Sequence, residues 1–193
     1  HAFYASGLKP GDRAAMLLTN SIEAVIFDQA ALAAGLIPVP LHAVDTPGSS
    51  AYILHDSGAR ILVTSSRARW NALHAAAGET LPMLEQVVLL NELDDEVIDG
   101  VRISGVETWL ARGNGTPSEA LPPEPSPDDL AGLIYTSGTT GRPKGVMLTH
   151  ANLVANVAQI SDAVEITESD IYLSFLPFSH TFERTVAHYA ALA

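Results

Sequence analysis

Short apolar runs and helical patterns alternate along this chain. The runs at 14–19, 36–41, 60–64, 86–90, 130–136, 145–149 and 171–176 read as buried strands. Between 20 and 34 the apolar residues Ile22, Val25, Ile26, Ala30 and Ala33 recur at helical spacing. Asn20 is the expected N-cap there, with Glu23 in the first turn. Segment 46–57 opens Thr-Pro, a cap followed by a first-turn proline, and closes at Gly58. Further helices are expected at 66–77, 105–112, 150–164 and 180–193. Near-continuous apolar strands alternating with helices predict an α/β fold built on a doubly wound, mostly parallel sheet.

Residues 113–129, GNGTPSEALPPEPSPDD, break that rhythm and hold five of the chain's 12 prolines. They read as a Pro-rich connection between a first α/β subdomain, 1–112, and the start of a second, 130–193. Asn114-Gly115-Thr116 fits the glycosylation pattern, but its plainer reading is a turn. The chain opens in what looks like the last turns of a helix, closed by Gly7 and Pro10, and ends mid-helix in HYAALA. Both ends are therefore expected to be cut, and the 193 residues to be a window on something longer.

Composition removes several function classes. The formal net charge is −12, and only 10 Lys and Arg are present to build a basic face, which argues against nucleic-acid binding. There is no cysteine, so a disulfide scaffold, Cys-ligated zinc, a thiol nucleophile and an iron–sulfur cluster are excluded. No run is long enough to read as a membrane span. The opening residues lack a basic start followed by an apolar stretch, so no signal peptide is expected.

The sharpest chemical feature is YTSGTTGRPKG, 135–145. It follows an apolar strand and combines Thr136, Ser137, Thr139 and Thr140 with Gly138, Gly141 and Gly145, and with Arg142 and Lys144. Glycines let a backbone turn tightly and bring N–H groups close to a ligand; hydroxyls add donors without bulk; a lysine adds a point charge. That inventory suits a polyphosphate. From Leu130 to Ser161 there is no Asp or Glu, so a stretch of formal charge +2 sits inside a chain of −12. Other phosphate and nucleophile loops do not fit. Pro143 and Gly145 flank Lys144 where a Walker loop needs Gly and Ser or Thr, the glycines are not at Rossmann spacing, and Tyr135 stands where a hydrolase elbow needs glycine. A Gly/Thr-rich surface hairpin without a ligand is the bland alternative.

This string resembles the phosphate-binding loop of the AMP-forming acyl-adenylating enzymes. SFLPFSHTFERT, 174–185, resembles the next motif of that family, in the form of its long-chain fatty acyl-CoA synthetase branch. GLKPGDRAAMLLTNSIEAVIFDQAALAAGLIPVPL and AYILHDSGARILVTSS are similar to the family's opening α/β units, whereas 70–128 adds little. The resemblance implies an ATP-, Mg²⁺- and coenzyme A-dependent ligase that activates a fatty acid as an acyl-adenylate. It implies that Thr136, Ser137, Gly138, Thr139, Thr140 and Gly141 hold phosphates and that Thr136 also helps bind the metal. It further implies that Lys144 offsets charge on departing pyrophosphate, and that His180 lines the junction of acyl and nucleotide sites. Read on their own, His180 would be a helix-start residue and Glu183–Arg184 a solvated pair; with the resemblance, His180 becomes a site residue while Glu183 and Arg184 remain structural.

By the resemblance, the family's later motifs are expected beyond Ala193: the Tyr-Gly-x-Thr-Glu segment, the ribose-binding aspartate and the C-terminal lysine. The isolated chain is accordingly expected to be inactive. Transfer to a carrier protein in place of coenzyme A, and a non-catalytic nucleotide-binding module, are the competing readings. The partners implied are small molecules. The location implied is cytoplasmic, with peripheral membrane contact left open, although no basic amphipathic helix is present to make it.

Overall fold

The computed structural model describes residues 1–78, 81–92, 95–115, 122–136 and 141–193. A short helix α1 (Ala2–Ala5) precedes the alternating series β1 (Arg13–Leu17), α2 (Ile22–Ala33), β2 (Ile37–Pro40), α3 (Pro47–Ser57), β3 (Ile61–Thr64), α4 (Arg67–Ala77) and β4 (Gln86–Leu89). Then come β5 (Asp95–Ile98), β6 (Val101–Gly105) and α5 (Val106–Arg112). The six strands form one sheet in the order β2-β1-β3-β4-β6-β5, parallel except for the antiparallel β5–β6 pair at one edge.

Both faces of this sheet are covered. Ala15 and Leu17 of β1 join Leu62, Val87 and Ile103 in a core that also holds Ile53 and Leu54 of α3 and Trp70 and Leu73 of α4. Their neighbours Ala14 and Met16 point the other way, with Ile61, Val63 and Val88, against Phe27 and Ala31 of α2 and Trp109 of α5. Burial on both faces is why these strands read as unbroken apolar runs. The doubly wound sheet expected from the sequence is the one observed.

Local signals set most helix boundaries. Thr46 caps α3, accepting from the Ser49 N–H, and Ser66 caps α4 in the same way. The α2 cap is Ser21 rather than Asn20: Ser21 is extended and accepts from the Ala24 N–H, while Asn20 is committed to distant backbone. The apolar runs do not mark β5 and β6. These strands are joined at Asp99-Gly100, both with positive φ (50° and 82°), the turn chemistry of a two-residue hairpin.

Strand β2 reads Ile-Pro-Val-Pro. Prolines offer no N–H to a further ladder, so β2 is an edge. The back half covers it without joining it. Strands β7 (Leu130–Thr136) and β8 (Lys144–Thr149) form a separate two-stranded sheet, and β7 packs beside β2. That pair is antiparallel. The parallel expectation gives way here because only residues 137–143 join the strands, and a parallel crossover needs a dozen or more. Helix α6 (His150–Ala163) follows, its N-terminus closed by a reciprocal Thr149–Asn152 capping box.

The strand expected at 171–176 does not form. These residues pair with no strand among the described residues, and Ile171, Leu173 and Phe175 are exposed. The helix expected at 180–193 is present but is not α-helical throughout: Glu183–Tyr189 is a π-helix, followed by α7 (Ala190–Leu192). Among the described residues no helix is long and apolar enough to cross a membrane.

Candidate active site

A cleft of about 650 Å³ lies outside the carboxyl end of β2, between the front half and the two motifs of the back half. Open α/β sheets bind ligands at this end of their strands. Tyr135, Thr136 and Pro143 of the first motif line it, as do Ser179, His180 and Thr181 of the second, and His42 from the loop after β2. Residues more than 40 positions apart in sequence thus face one space.

The hairpin register organises the first motif. Thr136 is paired directly with Lys144, so the two flank the mouth of the intervening loop on one face of the ladder. Both are exposed. Gly141, at φ 87°, occupies a left-handed conformation that disfavours other residues. Ser137, Gly138, Thr139 and Thr140 lie outside the described residues.

Two contacts fasten this hairpin to α3. The Tyr135 hydroxyl donates to Asp56 at 2.7 Å, and the Arg142 guanidinium lies 5.7 Å from the centre of the Tyr52 ring. Burial, and then the neighbouring Asp56 carboxylate, raise the Tyr135 phenol well above its usual value, so it is a donor throughout the neutral range. Gly145 is required beside it: a Cβ there would come within 3.1 Å of the Tyr135 ring. Of the two cations in the motif, Arg142 is held by an aromatic ring, whereas Lys144 is exposed at the loop mouth.

The second motif is fastened to α2 and to the β2 loop. Asn20 accepts from the Phe178 N–H at 2.8 Å and donates to the Leu176 carbonyl at 2.7 Å. Ser179 Oγ is 3.2 Å from His42 Nδ1. Phe178 is buried in the α2 face of the core. His180 itself is exposed. Its Nδ1 accepts from the Phe182 N–H at 3.2 Å, so in the neutral ring the proton sits on Nε2, as a donor.

Glu183 and Arg184 are not a solvated pair; each is at most 3% exposed. Arg184 Nη2 is 2.8 Å from Asp28 Oδ1, an ion pair without the alignment of a hydrogen bond. The Tyr189 hydroxyl donates to Asp28 Oδ2 at 3.0 Å, and His188 Nε2 is 3.3 Å from the same oxygen. Burial would raise the Asp28 carboxyl, but the Arg184 charge and the His188 and Tyr189 contacts outweigh it and hold the group below the usual carboxylate range. Neither carboxylate oxygen of Glu183 has a hydrogen-bond partner among the described residues.

Three of these residues escape the motif reading. Asp28 had a visible signal: it sits between Phe27 and Ala31 on the buried stripe of α2, where a charge demands a partner. His42 follows the carboxyl end of a buried strand, the usual place for site residues in this architecture. Ser179 carries no signal of its own beyond its place in the motif. Among the described residues no group of three or more His, Cys, Asp or Glu could hold a metal ion.

The family model described as AMP-binding enzyme matches residues 1–193. Long chain acyl-CoA synthetase 6 of Arabidopsis thaliana, a peroxisomal protein, is 34% identical over 183 residues, covering 92% of this chain and 26% of its own length. Fatty acyl-CoA synthetase A of Dictyostelium discoideum is 36% identical over 188 residues, covering 93% and 27%. ATP-bound MatB from Rhodopseudomonas palustris superposes with a TM-score of 0.75 at 29% identity, over 98% of this chain and 35% of that one. The chain thus spans about a quarter of the length of the curated relatives it matches.

Proposed function

This chain belongs to the AMP-binding enzyme family, and from that premise we propose that it is part of a long-chain fatty acid–CoA ligase. The observation that carries the proposal is the convergence of Thr136, the Thr136–Lys144 hairpin and His180 on one cleft. The names of the relatives support the long-chain substrate and coenzyme A as the acceptor.

The reaction proposed has two steps. A fatty acid carboxylate oxygen attacks the α-phosphorus of ATP, the bond from that phosphorus to the bridging oxygen breaks, and pyrophosphate leaves. The coenzyme A sulfur then attacks the acyl carbon, AMP leaves with the electron pair of the broken C–O bond, and the thiol proton goes to solvent. Activation is needed because a carboxylate is a poor electrophile.

Thr136, with Ser137, Gly138, Thr139, Thr140 and Gly141, is proposed to hold the β- and γ-phosphates through hydroxyls and backbone N–H groups. Lys144 offsets charge that grows on the departing pyrophosphate. His180 is proposed to present its Nε2–H at the junction of the acyl and nucleotide sites. Mg²⁺, when bound, neutralises phosphate charge; Thr136 is its proposed hydroxyl ligand, and oxygen donors of this kind suit a hard cation. On the same footing, 1–112 and 130–193 belong to two subdomains joined by 113–129, and the intact protein works in the cytoplasm.

The test uses the full-length protein with ATP, Mg²⁺, coenzyme A and palmitate. Equal amounts of AMP and palmitoyl-CoA are expected. Release of ADP, or no AMP with any fatty acid from eight to eighteen carbons, overturns the proposal. The 193-residue chain alone is expected to release no AMP in the same assay.

A further inference from the structure

The segment that carries His180 is held at three points by the front half: at Phe178 by Asn20, at Ser179 by His42, and one turn after His180 by Asp28. The third anchor is the strongest and the least obvious. Asp28 is fully buried in α2, and Arg184, His188 and Tyr189 all close on its carboxylate. The π-helix makes this convergence work. In an α-helix residue i+5 stands roughly 140° away from residue i, which would turn Tyr189 away from Arg184. The wider π turn, closed by i→i+5 bonds, brings i+4 and i+5 to either side of residue i. His188 and Tyr189 therefore flank Arg184, and one carboxylate serves all three.

The line from this cluster to His180 is short. The Arg184 backbone N–H donates to the His180 carbonyl at 3.1 Å, and the Arg184 guanidinium lies 5.3 Å from the centre of the Phe178 ring. The Thr185 hydroxyl donates to the Thr181 carbonyl at 2.9 Å. The turn that lets Phe182 donate to His180 Nδ1 is thus continuous with residues seated on Asp28.

We propose that Asp28 is a positioning residue: through Arg184 and the π-helix it fixes the turn at 180–182, and with it the orientation and tautomer of the His180 ring in the cleft. The consequence for catalysis rests on the function proposed above; the consequence for the ring does not. A misplacement of about 1 Å in a reacting constellation costs up to about a hundredfold in rate. The loss belongs in kcat for adenylate formation, because the phosphate-binding hairpin is fastened separately, to α3 through Tyr135 and Arg142.

The experiment compares wild-type full-length protein with Asp28→Asn, which keeps shape and removes charge. It measures adenylation by pyrophosphate release and records the ¹⁵N spectrum of selectively labelled histidines. A drop of about tenfold in kcat, KM for ATP within about twofold, and a His180 ring shifted from its Nε2-protonated form support the proposal. A folded variant with wild-type kcat and an unchanged His180 signature overturns it, as does a raised KM for ATP at constant kcat. Where Asp28→Asn does not fold, Tyr189→Phe, which removes the hydroxyl that donates to Asp28 and accepts from Arg184, is read by the same criteria, with about a threefold loss in kcat expected. If the wild type forms no adenylate at all, the function proposed above falls, and the positioning role is then decided by the His180 spectrum alone.

Discussion

Replacing Lys144 by Ala in the full-length protein separates ground-state from transition-state electrostatics. Lys144 is exposed and is paired with Thr136 across the hairpin, beside the phosphate site proposed there. With water around it, a charge pair about 4 Å apart is worth about 1 kcal/mol, or roughly fivefold in an equilibrium. This bounds the expected change in KM for ATP. Once substrate fills the cleft and expels water, a donor aimed at developing charge is worth about 3 kcal/mol, or roughly a hundredfold or more in kcat. Adenylate formation, followed by single-turnover pyrophosphate release, is therefore expected to fall about a hundredfold. Fatty acid binding, measured by titration without nucleotide, should stay within about twofold of wild type, because the role proposed for Lys144 is on the phosphates. Lys144→Arg keeps the charge and is expected to recover part of the rate. Equal loss of adenylation rate and fatty acid affinity would refute the phosphate role, and so would a KM effect at constant kcat.

Three further outcomes follow from individual contacts. Gly145→Ala places a Cβ 3.1 Å from the Tyr135 ring and is expected to cost about 1–3 kcal/mol by thermal melting; combining it with Tyr135→Ala should remove most of that extra cost in a double-mutant cycle. Asp28 is held below the usual carboxylate range, so its stabilisation is complete above about pH 4 and is lost as pH falls through the folded value. Melts from pH 7 down to pH 2 should therefore show a steeper acid loss for wild type than for Asp28→Asn. Tyr135 shifts the other way: its contribution is complete below about pH 10 and is lost as pH rises beyond that, so Tyr135→Phe should flatten the alkaline limb between pH 9 and 11 while losing about 1 kcal/mol at pH 7.

The parallel sheet was legible because its strands are buried on both faces and its caps are local: Thr46, Ser66 and Gly58 announce themselves. The β5–β6 hairpin was equally local in its Asp99-Gly100 turn, but its strands are short and β5 is exposed, so no apolar run marks it. The run at 171–176 illustrates the converse. Apolar composition states a need for burial, while a strand also needs a neighbour for its backbone, and none of the described residues supplies one. At the site, Thr136, Lys144 and His180 were visible as motif members. Asp28 and His42 were not, because they act through partners more than 130 residues away, and a linear pattern cannot show a distant partner. Read on its own, Arg184 next to Glu183 resembles a surface pair for the same reason; its partner is Asp28.

These long-range partners give the front half a particular role in the chemistry. Among the described residues no hydrogen bond or ion pair joins the two motifs. The hairpin is seated on α3 by Tyr135–Asp56 and Arg142–Tyr52, and the His180 segment is seated on α2 and the β2 loop by Asn20, Asp28 and His42. Helices α2 and α3 pack on opposite faces of the six-stranded sheet. The hairpin of Thr136 and the segment of His180 are thus seated on different helices of the front half, and β2, which lies between those helices in sequence, carries prolines that keep it from being drawn into another ladder. On the function proposed above, such an arrangement holds the phosphate-binding hairpin and His180 on separate supports, so that each can be repacked independently. Substitutions at Tyr135 or Asp56 should therefore alter KM for ATP with little effect on the His180 ring. Substitutions at Asp28 or Asn20 should do the reverse, and coupling between the two sets should stay within about 0.5 kcal/mol, as for sites that share no partner.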